Sequence, residues 1–242
     1  MLKSVYQSAY GLNSAAFKQD LKANNLANVN TTGFKKDNAF YRTLQELENK
    51  KNGVPRWEDR SMTDQTYTDF SAGRFQMTDN SLDMALDGQG FFVIQTFAGE
   101  RYTRNGNFSL NPDHLLVNDQ NQPVMGENGP IRIDGKTVAI GENGQVVVDG
   151  APVDRIRVVD FEKPYALNKI GNNLWAPQDA LAVHQSSDAR VKQGFLEDSN
   201  VNGIEEMVDM LELYRHYESG QKMIQSLDET LNTLVNQVGR LE

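Results

Sequence analysis

The opposite ends of this 242-residue chain both carry the heptad spacing of amphipathic helices, and the stretch between them reads as strand and turn. A chain patterned this way either brings its ends together or gives them to neighbours. In the first segment Val5, Ala9, Leu12, Ala16, Ala23 and Leu26 follow the alternating three-and-four spacing of one helical face, with Gln19 interrupting it. In the last, Ile204, Met207, Leu211, Tyr214 and Tyr217 are continued by Ile224, Leu227, Leu231, Leu234, Val238 and Leu241. The first stripe is mostly small residues and the second mostly large, so pairing them lets knobs fill holes. The alternative is that both helices cover the central region as ordinary surface helices. Against it stands the length of the second, roughly forty residues or about 60 Å at 1.5 Å per residue, which exceeds the diameter of a domain this size.

The expected fold class is therefore α+β: terminal helices forming a coiled-coil-like pair, with a central antiparallel β domain of sandwich or partly open barrel type. The expected boundaries are residues 1–33 for the first helix, 34–75 for a connector, 76–196 for the β domain and 197–242 for the last helix. Helix signals support the ends. The first helix should stop at Asn30-Thr31-Thr32-Gly33, where Gly33 can take a left-handed conformation. The last should start at Asn202, with Asn202 capping and Glu205 reaching back. Residues 35–74 are polar and charged, with a short helix expected around Leu44 to Glu48.

Strand signals crowd the centre. Phe91-Phe92-Val93-Ile94 is an apolar run bounded by glycines. Three hairpins are expected: residues 102–104 with 108–110 across Asn105-Gly106, 131–133 with 138–140 across Asp134-Gly135, and 146–148 with Val153 across Asp149-Gly150. Arg155 to Phe161 alternates as a half-buried strand should.

A net charge of −9 with no basic stripe argues against nucleic acid as a partner. The absence of cysteine excludes disulfides, thiolate metal sites and cysteine nucleophiles. Lys3 is followed by no apolar signal region, and no stretch approaches membrane-spanning length, so ordinary targeting rules predict a soluble, cytoplasmic protein with no membrane insertion. Catalytic patterns are missing too. His114, His184 and His216 stand far apart, no nucleophile elbow or phosphate loop occurs, and Gly88-Gln89-Gly90 precedes a strand rather than a helix. Asp79, Asp83 and Asp87 are four apart but read as solvated turn carboxylates, and Asn118 to Asn121 as a polar hairpin tip. No enzyme activity, cofactor or metal is expected.

The run Asn24-Asn25-Leu26-Ala27-Asn28-Val29-Asn30-Thr31-Thr32-Gly33-Phe34-Lys35 resembles the N-terminal signature of the bacterial flagellar rod and hook proteins. Residues 81–92, Tyr102 to Phe108, Gly194 to Asn202, and Glu205 to Met210 with Tyr217-Glu218 are similar to blocks of the same family. Within it, the short length, Asp69 to Gly73 and Gly126 to Ile131 are most similar to the proximal-rod subunit, with the distal-rod protein as runner-up. Pro112-Asp113-His114 departs from the family's turn, which has a glycine here.

The resemblance implies a structural subunit of the flagellar drive shaft that polymerises helically through its terminal helices. Its implied partners are copies of itself, other rod and hook proteins, and the type III export apparatus. The implied location is the basal-body rod crossing the periplasm, reached without a cleaved signal. Val5, Leu12, Leu26, Leu211, Leu227, Leu231 and Leu234 are the expected subunit contacts, and Asn24, Asn25, Asn28 and Asn30 are expected to satisfy backbone groups where the helix ends. Solvation at a helix terminus is the alternative for the asparagines. Gly220 allows a close helix contact, a bend, or is a tolerated defect. A secreted β-domain binding module or a hydrolase would be the rival classes, and no motif favours either.

Overall fold

The computed structural model describes residues 2–40, 65–178 and 184–238, which divide into two compact units. One comprises the described residues within 1–28, 36–70 and 201–242; the other comprises those within 29–35 and 71–200. The helix expected at Leu44 to Glu48 lies outside the described residues.

The first unit holds α1 (Leu2–Ala27), the two-stranded ribbon of β1 (Asp37–Phe40) and β2 (Gln65–Thr68), and α2 (Gly203–Val238). β1 and β2 run antiparallel with Asp37 opposite Thr68. At α2 the expected cap is present: Asn202 Oδ1 accepts the Ile204 N–H at 3.2 Å. At α1 the helix ends six residues before Gly33. The Asn24 carbonyl takes both the Asn28 N–H (3.2 Å) and the Asn28 side-chain amide (2.9 Å), so asparagine rather than glycine closes the helix. Gly33 is left-handed (φ 67°), but it serves the other unit.

The two helices run antiparallel. Asn25 meets Glu206, Lys22 meets Glu206 and Asp209, and the end of the Leu12 side chain lies 2.7 Å from where a Cβ on Gly220 would stand. Gly220 thus marks a close helix contact. The face of α2 that is shielded runs through Glu206, Met210, Leu213, Tyr217, Gly220 and Ile224, spaced four, three, four, three and four. This corrects the expected single stripe. Tyr217 and Ile224 are on the shielded face, whereas Ile204, Met207, Leu211 and Tyr214 are exposed. Polar pairing decides the phase, because turning Ile204 inward would take Glu206 away from Lys22 and Asn25. On α1, likewise, Ala23 is exposed and Asn25 is buried.

The second unit is built of short antiparallel strands. They are β3 (Phe75–Met77), β4 (Met84–Asp87), β5 (Phe91–Thr96), β6 (Gly99–Thr103), β7 (Ser109–Leu110), β8 (Leu116–Val117), β9 (Val138–Ile140) and β10 (Gln145–Val148). There follow β11 (Ala151–Arg155), β12 (Val158–Phe161), β13 (Leu167–Gly171), β14 (Leu174–Pro177), β15 (His184–Ser186), β16 (Arg190–Gln193) and β17 (Phe195–Glu197). Among the described residues they form a six-stranded sheet ordered β13-β14-β6-β5-β12-β15, a three-stranded sheet β11-β10-β9, and two-stranded pairs; no closed barrel forms.

β5 explains its unbroken apolar run, because both of its faces are covered. Phe92 and Ile94 enter a core with Leu86, Phe108, Leu116, Ile131, Val146 and Ile156. On the other face Phe91 packs on Phe161, Tyr165 and Trp175 at centroid distances of 6.0, 5.8 and 5.7 Å.

Of the three expected hairpins, the one across Asp149-Gly150 forms: β10 pairs with β11, and the two turn residues have φ of 49° and 86°. The other two do not. β6 pairs with β5 and β14, while β7 pairs with β8. Gly106 is instead a point of close approach, since a Cβ there would lie 1.6 Å from the Met84 carbonyl oxygen. Residues 131–133 bond to Leu116 and His114, and β9 goes to β10. Neither Gly106 nor Gly135 takes the positive φ that a tight hairpin turn needs, and the strands beside both pairs find partners elsewhere in sequence.

Candidate assembly site

Two polar clusters and one apolar stripe stand out, and each is tied to a sequence block that carried the family resemblance. The first cluster belongs to the helix pair. The Asn25 side chain, fully buried, accepts the Asp37 N–H at 3.0 Å and donates to the Asp37 carbonyl at 2.9 Å, standing in for a strand neighbour of β1. It also donates to Glu206 Oε2 at 3.5 Å. Lys22 Nζ lies 3.1 Å from the same Glu206 oxygen and 2.6 Å from Asp209 Oδ2. Burial opposes the Lys22 charge, but hydrogen bonds and Coulomb attraction from Asp209 and Glu206 outweigh it and hold its pKa above the ordinary 10.5.

The second cluster sits in the β unit, where Thr31 to Lys35 meet β17. Lys35 and Glu197 are both buried, with Lys35 Nζ 2.5 Å from Glu197 Oε1 and 2.7 Å from the Ser71 carbonyl oxygen. Glu197 Oε1 also accepts the Gly73 N–H at 2.9 Å, and Oε2 faces Arg104 at 3.5 Å. Arg104 donates to the carbonyls of Leu86 (3.3 Å) and Gly88 (2.7 Å) and lies over the Phe91 ring. Burial lowers its pKa, opposed by the Glu197 charge. Two glycines let the backbones close on this cluster. A Cβ on Gly33 would lie 2.5 Å from the Asn105 nitrogen, and one on Gly73 would lie 1.9 Å from the Asp198 carbonyl oxygen. Lys169 caps the arrangement, donating to the Lys35 carbonyl at 2.7 Å over the Phe34 ring.

The apolar stripe lies on the other face of α2. Ile204 is 78% exposed and Leu211 60%, with Met207, Val208 and Tyr214 about half exposed. These five large apolar side chains form an exposed apolar face along the first part of α2.

Of the residues singled out from sequence, Leu211 belongs to this stripe, Leu12 packs over Gly220 within the chain, and Leu26 is half-buried. Asn25 and Asn28 satisfy backbone groups, whereas Asn24 and Asn30 are exposed. Val5, Leu227, Leu231 and Leu234 lie along α1 and α2, but their side chains lie outside the described residues. Sequence reading missed Lys22, Lys35, Arg104, Glu197 and Glu206, since a charged residue in a polar stretch gives no local sign that it will be buried. Among the described residues no cluster of His, Asp or Glu could hold a metal, and no helix is long and apolar enough to cross a membrane.

Three family models match this chain: "Flagella basal body rod protein" over residues 6–35, "Flagellar hook protein FlgE/F/G D1 domain" over 85–148, and "Flagellar basal body rod FlgEFG protein C-terminal" over 192–238. The flagellar basal-body rod protein FlgF of Caulobacter vibrioides is 35% identical over 225 residues, covering 92% of each chain. The rod protein FlgG of Bacillus subtilis is 34% identical, covering 98% of this chain and 99% of its own. The flagellar hook-basal body complex protein FlhO of the same species is 28% identical over the full length of both. With these similarities spanning both terminal helices and the β unit between them, the chain belongs to the flagellar basal-body rod protein family.

Proposed function

We propose that this protein is a structural, non-catalytic subunit of the flagellar rod, polymerising helically with copies of itself and with other rod and hook proteins through its terminal helices. The observation that carries this reading is the exposed stripe of α2, an apolar surface left over after α1 has taken the opposite face. In this reading the terminal helices, within residues 1–33 and 197–242, form the axial, coiled-coil-like part, 34–75 connect, and 76–196 carry the β domain. Val5, Leu26, Leu211, Leu227, Leu231 and Leu234 contribute to subunit contacts, and Leu12 to the pairing within each copy. Asn24 and Asn30, exposed at the helix end, border a neighbour.

The proximal rod is the favoured position. The short length, Asp69 to Gly73 and Gly126 to Ile131 support this position. The distal rod is the alternative. Export through the flagellar type III apparatus, without a cleaved signal, completes the proposal.

Leu211→Asp tests it in the full chain. Leu211 is exposed, so stability should change by no more than about 0.5 kcal/mol, while a carboxylate placed in an apolar contact should abolish assembly. Basal bodies from cells carrying this variant as the sole copy should lack complete rods. Normal rods would refute the role given to the stripe.

A further inference from the structure

The shielded face of α2 repeats. Met210, Tyr217 and Ile224 are seven residues apart, so a slide of α1 by one heptad, about 10.5 Å, would still find apolar partners. Apolar packing alone therefore leaves several registers close in energy. One shielded position of the repeat breaks the pattern: Glu206, whose heptad equivalent is Leu213. Glu206 meets Lys22 at 3.1 Å and Asn25 at 3.5 Å, and Lys22 also meets Asp209 at 2.6 Å.

We propose that the hydrogen-bonded cluster of Lys22, Asn25, Glu206 and Asp209 sets the register of the α1–α2 pair. A single polar position in an otherwise apolar seam selects one alignment because every other leaves a buried polar group without its partner. A slide by one heptad would set Leu213 against Lys22 and Asn25 and separate Glu206 from both. The cluster also couples the pair to the ribbon, since Asn25 holds both backbone groups of Asp37. These contacts lie within one chain, so the inference stands apart from the assignment to the rod.

Disulfide trapping reads the register directly, because the full chain has no cysteine of its own. The contacts of Leu12 with Gly220 and of Lys22 with Asp209 place Ala15 opposite Tyr217. Ala15→Cys is combined in turn with Met210→Cys, Tyr217→Cys or Ile224→Cys, where 210 and 224 are the heptad neighbours on either side of the native position 217. In the parent, cross-linking at 217 should exceed that at 210 or 224 by at least about tenfold. In a Glu206→Leu background the three should come within about threefold of one another, with helix content by circular dichroism unchanged. Glu206→Gln, which keeps an acceptor for Lys22 and Asn25, should restore the preference for 217. A preference that survives in Glu206→Leu, fails to return in Glu206→Gln, or is absent from the parent overturns the proposal. Loss of helicity in Glu206→Leu overturns it too, because the apolar seam would then not hold a pair that could slide.

Discussion

Replacing Glu197 by Leu removes the one carboxylate shared by Lys35, Arg104 and the Gly73 N–H. Lys35 and Glu197 have 0% and 1% of their surface exposed, so solvent does little to replace the lost partner. Breaking a buried ion pair from one side costs about 3–5 kcal/mol, a large part of the roughly 5–15 kcal/mol that holds a domain together. Lys35→Met should cost less, about 1–3 kcal/mol, because Glu197 keeps Arg104 and the Gly73 N–H. The double variant should be less unstable than Glu197→Leu plus Lys35→Met summed, since the second change removes the cation that the first strands. Urea unfolding followed by Trp175, fully buried in the same unit, reads the effect. A Trp57→Phe background leaves it as the sole tryptophan. With a slope near 2 kcal/mol/M, Glu197→Leu should lower the midpoint by about 2 M. A cost below about 1 kcal/mol, or additivity within about 0.5 kcal/mol, would refute the claim that this cluster holds residues 31–35 to the β unit.

Three further outcomes are expected. Burial, with the Asp160 hydrogen bond at 2.8 Å, raises the Tyr165 pKa well above its ordinary 10.0. The stability it contributes is thus full below pH 10 and lost as pH rises toward the folded value; the gap between parent and Tyr165→Phe should narrow in urea titrations from pH 10 upward. His114 occupies a left-handed position (φ 61°) that costs glycine nothing and alanine a steric clash, so His114→Gly should be about 1 kcal/mol more stable than His114→Ala in thermal unfolding. Gly220→Ala should be neutral or stabilising by up to about 1 kcal/mol, because the flexible end of Leu12 can move aside and helix propensity improves. Gly106→Ala, whose Cβ meets the Met84 backbone, should cost at least about 2 kcal/mol. Equal effects of the two alanines would contradict this reading of the glycines.

What was legible in the chain alone is what neighbouring residues decide among themselves. The helical spacing at both ends, the cap at Asn202, the reversal at Asp149-Gly150 and the apolar strand at Phe91 to Ile94 all follow from propensity, capping and periodicity over a few residues. The asparagine run after α1 was recognisable as a helix end, and the family could be recognised from motifs spread along the chain. Tertiary structure decided which face of α2 is shielded, what Gly33 and Gly106 are for, and which charges are buried. Asp209 and Glu206 face Lys22 and Asn25, and Glu197 gathers Lys35 and Arg104, across separations of 93 to 187 residues. No local pattern encodes such pairs. A charge is stable in the interior only when a distant segment delivers its partner, and that delivery is a property of the folded chain.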